Sequence, residues 1–226
     1  MHTFDTPEPI AAVVSSTAAD IWISATRRTD TTVEVRPADP ADAADVEAAG
    51  RARVSYVGGH LSVQDRSSIR SLPGRITVTV ELPSGSALDI GLRDGFVNGQ
   101  GRLGTVRAHL SQGHLHLDRT GELRLTTDDG DITVATAGGP ATLTTARGQI
   151  KVGESIGTTV IGNGAGNVTV DRAADGLSVT AEQGAVEFHA HLARGDIQLH
   201  RVTSGRQPTA FPRTNTHLKE GRSTHD

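Results

Sequence analysis

The stretch LRLTTDDGDITV (residues 123–134) returns eighteen residues later as ATLTTARGQIKV (141–152), then as TVIGNGAGNVTV (159–170) and LSVTAEQGAVEF (177–188). The segments share one frame. Each carries a glycine at its eighth position, Gly130, Gly148, Gly166 and Gly184, and the series extends upstream to Gly113 and Gly95, with spacings from Gly95 onward of 18, 17, 18, 18 and 18. Seven and five positions before the glycine stand Leu88 and Ile90, Val106 and Ala108, Leu123 and Leu125, Ala141 and Leu143, Thr159 and Ile161, Leu177 and Val179. Two and four positions after it stand Leu115 and Leu117, Ile132 and Val134, Ile150 and Val152, Val168 and Val170, Val186 and Phe188. Apolar residues alternating with period two mark strands with one buried face. Each unit is therefore two short strands joined at a glycine, whose missing Cβ admits a tight corner at positive φ.

A period near 18 with two strands per unit is too short for a propeller blade and has no helical phase. Stacked coils of a parallel β-helix remain, with equivalent residues about 4.8 Å apart in continuous aliphatic columns. One coil buries too little to offset the ordering of its backbone, so neighbours must stabilise it from both sides. A sandwich of antiparallel hairpins would use the same alternation. The recurrence of Thr126, Thr144 and Thr180 four before the glycine favours the parallel arrangement, in which like side chains stack. Composition agrees: aromatics are 3% of the chain, so the core is built of aliphatic stacks.

The chain ends depart from the period. Residues 1–85 carry strand-like runs at 21–23, 32–35, 60–63 and 76–80, and one short helix over 41–50, with Asp39 as N-cap, Pro40 at the first helical position and Gly50 near the stop. An open stack exposes unpaired backbone, so this irregular β segment reads as its N-terminal cap, with Trp22 anchoring the cap's core. After Gly184 the next glycine, Gly195, comes 11 residues on, with Ile197 and Leu199 again at plus two and plus four. The expected architecture is all-β: a cap over 1–85, a parallel β-helix (β-solenoid) of about 18-residue two-strand coils over 86–200, and a disordered polar tail over 201–226.

Charge and composition exclude several function classes. A formal charge of -4 lacks the basic face that wraps nucleic acid, although the tail is weakly basic through Arg201, Arg206, Arg213, Lys219 and Arg222. There is no cysteine, hence no disulfide, thiol catalysis or thiolate zinc site. Residues 1–7 show no basic region followed by an apolar one, and no apolar run reaches membrane-spanning length, so no membrane partner and a cytoplasmic location are expected.

Several stretches resemble a bacterial β-strand-repeat family of unknown function that carries the label putative adhesin. They are Phe4-Asp5-Thr6-Pro7-Glu8-Pro9-Ile10, Thr31-Thr32-Val33-Glu34-Val35-Arg36-Pro37, Val80-Glu81-Leu82-Pro83-Ser84-Gly85-Ser86, and strands of the Gly130-Asp131-Ile132-Thr133-Val134 type. The resemblance spans most of residues 1–200 and implies a right-handed β-helix-like body with no established catalytic residues. The chain departs from the family in lacking an export signal and in ending on a polar tail.

Histidine is the most conspicuous polar feature: His109, His114, His116, His189, His191 and His200. His114 and His116 share one strand face, as do His189 and His191, but neither pair has a third ligand in its own coil, and the register offers His114 only Asp131 and His116 only Thr133. Acids gather at Asp128, Asp129 and Asp131 near Asp118, as a lyase or glycosidase on a β-helix would require. The face beside them offers Arg119, Arg124 and Arg147 and no aromatic platform. One glycine per 18 residues is too sparse for calcium-binding nonapeptides, and Gly162-Asn163-Gly164-Ala165-Gly166 lacks the helix and Lys-Ser/Thr ending of a phosphate loop. The outward row His116, Thr133, Lys151, Thr169, Glu187 mixes types. These features point to a non-enzymatic repeat scaffold that binds an unknown protein or glycan, with no cofactor, metal or catalytic residue assigned; a carbohydrate-active lyase or glycosidase is the alternative.

Overall fold

The computed structural model describes residues 1–65, 74–188 and 197–200. In chain order the elements are β1 (His2–Asp5), β2 (Ala11–Thr26), β3 (Asp30–Pro37), α1 (Ala43–Arg51), β4 (Arg53–Val57), β5 (His60–Gln64) and β6 (Ile76–Pro83). There follow β7 (Ala87–Arg102), β8 (Val106–Thr120), β9 (Leu123–Asp129), β10 (Ile132–Ala137), β11 (Ala141–Arg147) and β12 (Ile150–Ser155). The series ends with β13 (Thr159–Ala165), β14 (Val168–Ala173), β15 (Leu177–Gln183), β16 (Val186–Phe188) and β17 (Ile197–His200). The chain is all-β apart from α1, and its strands form one 17-stranded, mostly parallel sheet. No helix among the described residues is long and apolar enough to cross a membrane.

From β7 onward every pairing is parallel, which rules out the antiparallel sandwich. Successive strands alternate between two ladders: β8, β10, β12, β14 and β16 pair in one, and β9, β11, β13, β15 and β17 in the other. In the first ladder Val97, Leu115, Ile132, Ile150, Val168 and Val186 lie opposite one another, buried except for half-buried Val186. In the second, Ile90, Ala108, Leu125, Leu143, Ile161 and Val179 do the same. Both sets belong to one hydrophobic core. Thr126, Thr144, Gly162 and Thr180 also stand in register, on the outward side.

At the corners the glycines are required twice over. Gly113 has φ 128°, and a Cβ there would lie 1.7 Å from the carbonyl oxygen of Gly95. The same contact repeats between successive corner glycines up to Gly184. Backbone stacks on backbone here, and no side chain fits between.

The register also reaches further upstream than the period reveals. β2 pairs in parallel with β7, placing Val14 opposite Ile90, Ala19 opposite Gly95 and Ile21 opposite Val97. Residues 27–86 intervene between these neighbours; within them β3 runs antiparallel to β6, and β4 antiparallel to β5.

Two expectations are corrected. The helix begins at Ala43, and its N-cap is Asp42, whose side chain accepts the Ala44 N–H at 2.7 Å. Asp39 instead closes the preceding turn, accepting the Ala41 N–H at 2.8 Å, so Pro40 lies in that turn and not in the helix. Trp22 does not anchor a core. It is 43% exposed, because Ile21 and Ile23 on either side of it point inward. The proposed tail, 201–226, and the pair His189 and His191 lie outside the described residues.

Candidate functional site

The inward alternation of Ile21, Val97, Leu115 and Ile132 forces their neighbours outward, and two adjacent outward rows result. In one, Asp20, Phe96 and His114 lie opposite one another, with Asp131 next to His114. In the other, Trp22, Asn98, His116, Thr133, Lys151, Thr169 and Glu187 follow in register. Trp22 and Phe96 meet edge to face with ring centroids 5.5 Å apart. Phe96, Asn98, His114, Leu115, His116, Asp131 and Thr133 line a shallow depression of about 420 Å³. The face thus has aromatics beside its histidines and acids, contrary to the expectation of none. They were hidden because Trp22 falls outside the glycine-marked units, and because the ring of Phe96 reaches across to a strand 76 residues earlier.

The expected site residues are found together, but their chemistry is largely spent on the corner. His114 Nδ1 accepts the Asp131 N–H at 3.2 Å and lies 3.4 Å from Asp131 Oδ2. Asp131 Oδ1 accepts the Gln149 N–H at 2.7 Å, and Asn167 Oδ1 accepts the Ala185 N–H at 3.0 Å. The residue after each corner glycine thus supplies an acceptor for the backbone N–H of its counterpart one unit on. Asp129 pairs with Arg147 at 3.0 Å, and Asp118 accepts the Gly101 N–H at 3.2 Å. Asp128 and Arg124 are exposed, and His109 stands on the other ladder, outward beside Thr126. No three His, Asp or Glu side chains among the described residues group closely enough to hold a metal ion. Gly162–Gly166 runs through β13 into a corner, and β14 follows it.

Asn98 is the residue the sequence did not mark. Its Oδ1 is buried without a hydrogen-bond partner, directly between Trp22 and His116 in the outward row. At the margin, Arg75 bridges Asp20 at 3.0 Å and Asp94 at 2.6 Å, neutralising the acids nearest Phe96. No Lys or Arg lines the depression itself.

Ionic chemistry elsewhere is structural. Arg28 binds Asp30 at 2.9 Å and also Glu81, and it holds both carboxyls below their usual range. Asp65 is the opposite case: burial pushes its carboxyl up, outweighing attraction to Arg51 and a hydrogen bond from Ser16.

No known family's sequence profile matches the chain, and no curated protein does. Solved structures do share the arrangement. A "putative adhesin" of Bacteroides fragilis is 13% identical with a TM-score of 0.51, covering 88% of this chain and 91% of its own. A second "putative adhesin", from Parabacteroides merdae, is 10% identical with a TM-score of 0.27, covering 88% and 95%. A "putative cell adhesion protein" of Clostridium sporogenes is 12% identical with a TM-score of 0.32, covering 88% and 97%. At these identities the likeness to the first is one of fold, and the other two scores carry no argument. The label of these structures matches that of the β-strand-repeat family which the sequence resembles.

Proposed function

We propose that this protein is a non-enzymatic binding scaffold: residues 86–200 wind as a parallel β-helix of 18-residue coils, residues 1–85 close its N-terminal end, and the outward face around Trp22 and Phe96 receives a protein or glycan partner. The observation that carries this reading is the position of the single Trp of the chain. In a fold whose core is aliphatic, Trp22 stands outside at 43% exposure, backed by a second ring and flanked by hydrogen-bonding side chains. A rigid aromatic that presents both apolar surface and a polar edge is the usual anchor of a binding surface. The flat, repetitive faces of stacked coils suit extended partners.

Catalysis on this face is less well supported. An acid and base pair must be free to exchange protons with a substrate, whereas Asp131, Asp129 and Asp118 are each held by backbone N–H groups or arginine. The test is retention of host-extract components on immobilised full-length protein. Wild type and an Arg124→Ala variant on the other ladder are expected to retain the same component, and Trp22→Ala to lose it. Retention indifferent to Trp22 overturns the assignment of this face, and time-dependent cleavage of a polysaccharide overturns the non-enzymatic reading.

A further inference from the structure

Resting on the binding face just proposed, we infer that the Trp22–Asn98–His116 row is a subsite for a neutral saccharide. Three observations converge on that chemistry. First, Trp22 and Phe96 form a two-ring patch where an outward strand position ordinarily carries a polar residue, and apolar ring surface at this place complements the C–H face of a pyranose. The described aromatics Phe4 and Tyr56 pack against each other elsewhere, 5.2 Å apart, so rings left exposed are not the rule in this chain.

Second, the buried Asn98 Oδ1 next to Trp22 has no donor. An orphaned acceptor under a binding surface costs stability until a ligand O–H or N–H reaches it. His116 and Thr133, one and two strands further along the same row, add hydrogen-bonding groups at intervals of about 4.8 Å. A row with an apolar plate at one end and donors and acceptors along it matches a short oligosaccharide, which alternates the same two characters.

Third, the charge excludes anionic ligands. The depression is lined by Asp131 and by no Lys or Arg, and the nearest cation at the Phe96 margin, Arg75, is committed to Asp20 and Asp94. Phosphate, sulfate or uronate groups would meet a carboxylate and find no counter-charge.

The single Trp makes the subsite directly readable. Full-length protein is titrated with neutral gluco-, manno-, galacto- and N-acetylchito-oligosaccharides at millimolar concentration, following indole emission and its quenching by acrylamide. At least one series is expected to shift the emission and protect the indole. By calorimetry, Trp22→Ala should weaken binding at least about tenfold, with an unchanged thermal midpoint. Asn98→Leu, which keeps the fluorophore, should weaken it comparably while leaving the emission of the free protein in place. Emission unmoved by any neutral series overturns the inference, and so does binding equal in wild type and both variants. Protection of Trp22 by polygalacturonate alone, or by a host protein alone, also overturns it but leaves the binding face standing. Cleavage of a bound neutral saccharide supports the subsite and sinks the non-enzymatic reading instead.

Discussion

Gly130 shows how little freedom a corner position has. Its φ is 151°, and an added Cβ would lie 1.6 Å from the Gly113 carbonyl oxygen, so Gly130→Ala forces two stacked backbones apart. We expect a loss of at least about 3 kcal/mol in urea titration. Gly58→Ala is the control: with φ 55° and open space around its Cβ, it should cost only about 1 kcal/mol. Equal losses would mean that backbone strain, and not stacking, makes these glycines necessary. Just before the corner, the inward row Thr127, Thr145 and Asn163 is polar although buried. Thr145 donates to the Gly130 carbonyl at 3.1 Å, and Asn163 Nδ2 to the Gly148 carbonyl at 3.1 Å, whereas the Thr127 hydroxyl has no partner. Thr127→Val should therefore stabilise by about 1 kcal/mol and Thr145→Val should destabilise by about as much. Thermal denaturation of the two variants checks the opposite signs. The corner glycines were legible in the sequence from their spacing. The polar inward row was not, since alternation alone places Thr127 inside without saying what its hydroxyl meets.

At the scale of elements, the segment between β2 and β7 is pinned by charge at two places with opposite pH signatures. Asp30 and Glu81, held below their ordinary range by Arg28, stabilise the fold above the unfolded carboxylate value of about 4 and lose that contribution as pH falls through their folded values. Asp65, pushed up by burial, behaves in reverse: the folded state prefers its protonated form, and stability is lost as pH rises from about 4 through its folded value. Asp65→Asn is thus expected to raise the thermal midpoint relative to wild type more at pH 7 than at pH 3. Arg28→Met should lower it more at pH 7 than at pH 3. Melting curves at the two pH values check both, and parallel shifts would show that the carboxyls contribute no pH dependence. The strands of this segment were visible as apolar alternation, and its helix as an Asp/Ala run, but the cap moved from Asp39 to Asp42. Either acid can bond to a backbone N–H two residues on. Only the turn closed by Asp39 decides which N–H starts the helix.

For the whole molecule, the proposed stack makes deletion a sharp test. Removing residues 131–148, one full unit, joins Gly130 to Gln149 and leaves Ile150 to pair with Leu115 in the register that Ile132 held. The variant should fold with native-like circular dichroism and a smaller urea m-value, because each unit contacts chiefly its neighbours. Removing only 131–139 takes out β10 and keeps β11, leaving one ladder a rung short, and that variant should not fold. Failure of the full-unit deletion alongside success of the half would overturn the stacked architecture.

What the sequence by itself determined was the parallel register from β7 onward. The glycines and aliphatics recur at a fixed interval, and only coils stacked at that interval bring like residues opposite one another. What only the tertiary structure decided was the membership of β2 and the outward face. Ala19 stands where later units have glycine, and residues 27–86 separate it from Gly95, so no period connects the two strands. The run Ile21-Trp22-Ile23 is apolar on both faces and does not announce which side is inside. Burial against Val97 turned the isoleucines inward, and in doing so set Trp22 beside Phe96 and above the unpaired oxygen of Asn98.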